Sequence, residues 1–122
     1  SYVVNSSVLE NTLKVEGEVS SAKLTAGSGA ASRAFFCTKC GTYVYTDYDT
    51  AVGRLNVRTK TLEDPDKFPP QAHIFIKDKD PWLNLSENVN CFEQMYDPKV
   101  TWPKESLNRI KDYLKIKKNK SQ

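Results

Sequence analysis

The chain has 122 residues, the length of one domain, and its 39% hydrophobic and 27% charged residues are the balance of a water-soluble globular protein. No apolar run approaches the ~20 residues of a membrane span, so a membrane-spanning helix and a membrane partner are not expected. The net charge of +3 is unevenly placed: residues 1–103 carry 11 Lys/Arg against 13 Asp/Glu, and residues 104–122 carry 7 against 2.

Taken in chain order, the first hundred residues read as strands and turns. Ser1–Val8 is a short apolar segment. Leu13–Val19 alternates apolar and polar residues, the period of a half-buried strand, and Lys23–Ala26 is a second short strand. Gly27-Ser28-Gly29 marks a turn. Ser32–Phe36 leads into a cysteine pair and Thr42–Tyr48 leaves it, the latter rich in the β-branched and aromatic residues that suit a pleated surface. Tyr43 and Tyr45 are expected to pack on the sheet. Val52–Thr59 carries Leu55 and Val57 at strand spacing. Leu62–Pro70 holds three prolines and reads as a loop. His73–Ile76 is a short apolar strand, and Val89–Met95 is another candidate. Trp82 is expected in the core or in a pocket wall.

The C-terminus differs. Leu107, Ile110, Tyr113 and Leu114 share one face at helical spacing, with Pro103 suited to the first turn. Residues 103–117 therefore read as an amphipathic helix that packs on a sheet and turns a basic, solvated face outward. The tail lacks the interleaved aromatics of a single-strand platform, so nucleic acid is not an expected partner. The fold class expected is mainly β: one antiparallel β domain over residues 1–102, followed over residues 103–122 by the helix and a basic tail.

There are three cysteines, Cys37, Cys40 and Cys91. An odd count with one tight C-x-x-C argues against a secreted disulfide scaffold and for a reducing compartment, the cytoplasm or alternatively the nucleus. The Asn-x-Ser matches at Asn5, Asn84 and Asn119 are then chance. Two roles suit Cys37 and Cys40. On a tight turn they place two thiolates on one zinc, with Gly41 letting the backbone reverse. At a helix N-terminus they would form a redox pair. Strand-like residues flank both sides, which favours a zinc knuckle within a β-hairpin. A closed zinc site needs four ligands, and the chain offers two good ones. His73 and Cys91 have no paired donor at metal spacing, and Cys91 reads as a small core residue.

Ser28-Gly29 followed by Arg33-Ala34-Phe35-Phe36-Cys37-Thr38-Lys39-Cys40-Gly41-Thr42 resembles the core motif of the glutathione-dependent formaldehyde-activating enzyme family, which includes the centromere protein V group. Gly53-Arg54-Leu55-Asn56 resembles its G-x-L-D strand, with Asn56 where Asp is usual. Pro70–Phe75 resembles its P-x-x-H-I-F segment, and Lys79–Trp82 the tryptophan that closes the motif. The likeness runs over roughly residues 1–97.

The resemblance implies a tent-like β fold around zinc. Complete members join the C-x-x-C to an N-terminal C-x-C in a closed four-cysteine site. A C-x-C-x-x-C segment holds a second zinc with an open position. The associated reaction is the condensation of formaldehyde with glutathione to S-hydroxymethylglutathione, or its reverse, a carbon–sulfur lyase reaction. Neither N-terminal cysteine motif is present between Ser1 and Gln122. Cys37 and Cys40 thus correspond to half of the structural site, and nothing corresponds to the catalytic ligands. The expectation is a piece of a longer protein, with a natural member that lost both half-sites, or zinc shared between two chains of a homodimer, as the alternatives. On this reading zinc is the cofactor and a glutathione adduct the substrate. Arg33 is a candidate contact for a glutathione carboxylate, or else pairs with an acidic neighbour. His73, the only histidine, is a candidate acid–base group or a hydrogen-bonded strand residue. The 122 residues by themselves are expected to lack lyase activity. The contrasting function is a non-catalytic interaction module whose basic helix meets an acidic partner.

Overall fold

The computed structural model describes residues 2–120. Five strands form one antiparallel sheet: β1 Asn5–Leu9, β2 Val19–Thr25, β3 Ala31–Cys37, β4 Tyr43–Tyr48 and β5 Arg54–Arg58, in spatial order β1-β5-β4-β3-β2. Strands β2 to β5 follow one another as hairpins, and β1 adds beside β5, so β1 and β2 are the two edges. Two further strands, β6 Ala72–His73 and β7 Asn90–Cys91, make a separate two-residue parallel ribbon. A short helix α1, Pro98–Thr101, precedes the long helix α2, Lys104–Lys120. The expected mainly β architecture with a C-terminal helix is the one found.

Alternation in the sequence decides what each face of the sheet buries. In β3, Ser32 and Ala34 are buried on one side, and Ala34 lies opposite buried Thr46 of β4. On the other side Phe35 lies opposite Tyr45, and the two rings stack at 4.3 Å between centroids. Tyr45 in turn lies opposite Val57 of β5, which is 1% exposed. Such a ring pair contributes on the order of 1 kcal/mol beyond its burial. The register shifts between Phe35 and Phe36, just before the cysteines. Tyr43 packs under the Arg58 guanidinium at 4.1 Å. Both tyrosines are thus sheet residues, as their pattern indicated.

Helix α2 turns Leu107, Ile110, Tyr113 and Leu114 inward, half-buried, as the spacing predicts. Its start differs by one residue. Pro103 stands before the helix, and its carbonyl accepts from the N–H groups of Ser106 and Leu107. Opposite the helix, Gly53 in the β4–β5 turn has φ +80, and a methyl group there would lie 2.8 Å from Leu114 Cδ2.

Several expectations fail for physical reasons. Residues 13–18 form no strand: Gly17 takes φ +94, and pairing with β3 begins only at Val19. His73–Ile76 is strand for one residue only, because Phe75 adopts a left-handed φ of +55 and a 3-10 turn follows. The helix α1 has a start signal in Asp97-Pro98 that the strand reading passed over: Asp97 Oδ1 accepts from the Lys99 N–H at 2.9 Å. Trp82 is not in the core but 68% exposed. Cys91 is exposed as well, on a ribbon too short to cover it. Ser1, Ser121 and Gln122, at the two ends of the expected segments, lie outside the described residues.

Candidate metal centre

The chemistry gathers at the tip of the β3–β4 hairpin. The Cys37 N–H donates to the Thr42 carbonyl at 2.8 Å, and the Gly41 N–H donates to the Cys37 carbonyl at 2.8 Å. These bonds close residues 38–41 into a tight loop. Gly41 takes φ +75, a conformation that costs a residue with a Cβ roughly 1–2 kcal/mol. The loop is also tied sideways: the Thr38 N–H donates to the Glu18 carbonyl, just before edge strand β2. The fold thus presents both cysteines on one reversed turn, Cys37 half-buried and Cys40 exposed, and both as free thiols.

Thr42 is the neighbour that sequence reading left out. Its hydroxyl oxygen lies 3.1 Å from Cys40 Sγ. The Thr42 side chain, then its backbone, then the Cys37 thiol favour the Cys40 thiolate and lower its pKa from 9.0. The C-x-x-C-G-T order carried that signal, since a hydroxyl two residues after the second cysteine can reach back to it.

The other candidates stand apart from this pair. Arg33 donates from Nη1 to Ser21 Oγ on β2 at 3.0 Å, with Asp47 opposite it in register on β4. Its partner is therefore a strand hydroxyl. His73 sits in β6 against β7, its carbonyl accepting from the Phe92 N–H at 2.8 Å. Cys91 lies opposite His73 in the same ribbon, and its thiol donates to the Val89 carbonyl. Among the described residues no three His, Cys, Asp or Glu side chains come together as a metal-binding group.

The donor set can be tested against zinc directly. Two thiols on a glycine-closed turn are the right donors at the right spacing for half of a tetrahedral site. Two further ligands are missing among the described residues, so they do not complete one.

The sequence profile of the glutathione-dependent formaldehyde-activating enzyme family matches residues 1–78. The chain belongs to this family. The match takes in the whole sheet, the cysteine pair, Arg33 and His73. It ends before Trp82 and before both helices. No curated protein and no solved structure matches the chain. Among the described residues no helix is long and apolar enough to cross a membrane.

Proposed function

We propose that this family member binds zinc through Cys37 and Cys40, and that the metal is structural. In this reading the two thiolates tie the β3–β4 hairpin to donors outside the described residues, in a closed four-ligand site. The observation that supports it is the hairpin tip itself, where Gly41 and the Cys37–Thr42 bond hold a thiol pair at zinc spacing. Cysteine ligands lose their protons on binding, so the bound pair would be anionic at neutral pH.

The activity proposed for the whole protein is that of a carbon–sulfur lyase on a glutathione–aldehyde adduct. In the forward direction the glutathione sulfur bonds to the carbonyl carbon, the C=O π bond opens, and the thiol proton ends on the new hydroxyl. An open-site zinc, when bound, would hold the thiolate and polarise the aldehyde. The described residues provide no such site, so no step on zinc is assigned to them. Arg33 is proposed to meet a substrate carboxylate only by leaving Ser21, and His73 to exchange protons only if substrate reaches the β6–β7 ribbon. The second reading is an interaction module without turnover. It rests on the count of two donors where catalysis on zinc needs three and an open position.

Metal analysis tests the first part. Zinc, or cobalt with a sulfur-to-metal charge-transfer band, is expected on the purified protein. It should be lost from both Cys37→Ser and Cys40→Ser. Zinc retained in full by the double variant would overturn the assignment. Lyase function is tested separately by following S-hydroxymethylglutathione by NMR. A fully metallated protein that leaves the rate of its formation unchanged would sink the enzymatic reading and favour the module.

A further inference from the structure

The molecule exposes far more surface than its mass requires. Its accessible area is 9368 Å², whereas a compact monomer of 13.8 kDa exposes roughly 6,600 Å². The excess, roughly 2,700 Å², is well above the ~800 Å² per partner of a standard protein interface. Strand β2 is one part of this exposed surface.

β2 is an edge strand of seven residues, Val19–Thr25, and Lys23 is the one feature on it that guards an edge. It has no proline, its pairing with β3 runs without a shift, and Lys23 is its one charge. Its inward bonds are fixed by its two ends. The Glu18 carbonyl accepts from Thr38, and the Ala26 N–H donates to Ala30. Antiparallel alternation then turns residues 20, 22 and 24 toward β3. It leaves the backbone N–H and C=O groups of Val19, Ser21, Lys23 and Thr25 facing outward. Leu24 is 47% exposed on the same strand.

We infer that β2 pairs with β2 of a second copy, antiparallel about a two-fold axis at Ala22, joining two five-stranded sheets into one of ten. This register uses the whole strand. Ser21 faces Lys23 of the second copy, and Val19 faces its Thr25. Outward groups meet outward groups, giving roughly eight backbone hydrogen bonds. The two Lys23 side chains are diagonal rather than directly opposite, so no like charges face each other across the seam.

The geometry separates this dimer from a metal-bridged one. Cys37 lies opposite Val19 in register, at one end of β2. In the paired sheet the two Cys37 residues are roughly 25 Å apart, six residues along and three strands across. No single zinc, with bonds of about 2.3 Å, spans them.

Sedimentation of the full chain, with and without chelator, tests the inference. A mass of twice 13.8 kDa that survives chelation is expected. Ser21→Lys should weaken the dimer roughly tenfold by facing Lys23 twice, and Ser21→Glu should tighten it. Ser21→Pro, which removes an outward N–H, should give a folded monomer by circular dichroism. If that variant fails to fold, the Lys and Glu pair decides. A wild-type monomer would overturn the proposal. So would a dimer dissolved by chelation, which would instead support shared zinc. So would a dimer indifferent to Ser21→Lys and Ser21→Glu. A wild-type monomer, or a dimer indifferent to the Ser21 variants, leaves the metal count expected for Cys37 and Cys40 unchanged, whereas shared zinc would halve it to one per two chains.

Discussion

Tyr113 of α2 donates a 2.6 Å hydrogen bond to Oε1 of Glu10, a residue 103 positions earlier in the chain. Lys117 Nζ reaches the same oxygen at 2.6 Å. The Glu10 N–H meanwhile donates to the Gly53 carbonyl in the β4–β5 turn. One residue thus joins the end of β1, through its N–H to the turn beside it and through its carboxylate to the C-terminal helix. The basic tail is therefore not wholly solvated: Lys117 is a docking residue.

This junction predicts a pH dependence. The Lys117 ammonium, and then the Tyr113 hydroxyl, hold the Glu10 carboxyl below its ordinary 4.5. A depressed acid contributes stability that is present above its unfolded value and is lost as pH falls through the folded one. Lys117 is raised above 10.5 and Tyr113 above 10.0, in each case chiefly by the hydrogen bond to Glu10. Their contribution is full below those values and is lost as pH rises through the folded ones. Glu10→Gln should therefore lower the melting temperature across the neutral range, and the difference should shrink as the pH falls below 4.5 and the carboxyl protonates. Solvent screening keeps the neutral loss small, roughly 2 °C. Melting curves of both proteins from acid to neutral pH give the comparison. A difference that stays constant through the acid range would remove Glu10 from this role.

The same contact makes Gly53 sensitive. Gly53→Ala places a methyl group 2.8 Å from Leu114 Cδ2 on a backbone at φ +80. The conformation costs roughly 1 kcal/mol and the crowding about as much again. A loss of about 2 kcal/mol is expected in denaturant unfolding. In a Leu114→Ala background the crowding is gone, and Gly53→Ala should cost only about 1 kcal/mol. Equal costs in the two backgrounds would mean that the helix does not press on this turn.

Val57 is 1% exposed, opposite Tyr45 and next to the Phe35–Tyr45 stack. Val57→Ala removes two buried methyl groups and should cost about 2 kcal/mol. Val52→Ala, at a site 61% exposed, should change stability by less than about 0.5 kcal/mol. Unfolding midpoints for the two variants check the contrast, and comparable losses would mean that the core does not centre on β5.

How much of this was legible depended on range. Phe35, Tyr45 and Val57 sit in runs of β-branched and aromatic residues, so their strands were readable locally. The α2 face was equally local, written in the spacing of Leu107, Ile110 and Leu114. Leu13–Val19 misled because alternation says nothing of whether a neighbouring strand is free to pair. Trp82 and Cys91 misled because apolar character predicts burial only where there is structure enough to cover it. In the candidate centre, Cys37, Cys40 and Gly41 were readable from spacing alone. Ser21 as the partner of Arg33 was not, since it depends on the β2–β3 register.

The last prediction concerns turnover. Residues 1–122 alone should not accelerate the formation or breakdown of S-hydroxymethylglutathione. Zinc catalysis needs three protein ligands and an open position, whereas the hairpin tip offers Cys37 and Cys40 on a turn suited to a closed site. Arg33 is engaged by Ser21, and His73 lies in the β6–β7 ribbon with no metal-capable group of three around it among the described residues. NMR of glutathione and formaldehyde, with the purified chain loaded with zinc, provides the measurement. The expected rate is that of the uncatalysed mixture, unchanged by Cys37→Ser. Acceleration abolished by chelation and by Cys37→Ser would show that the pair is catalytic, and would move it from the structural to the reactive role.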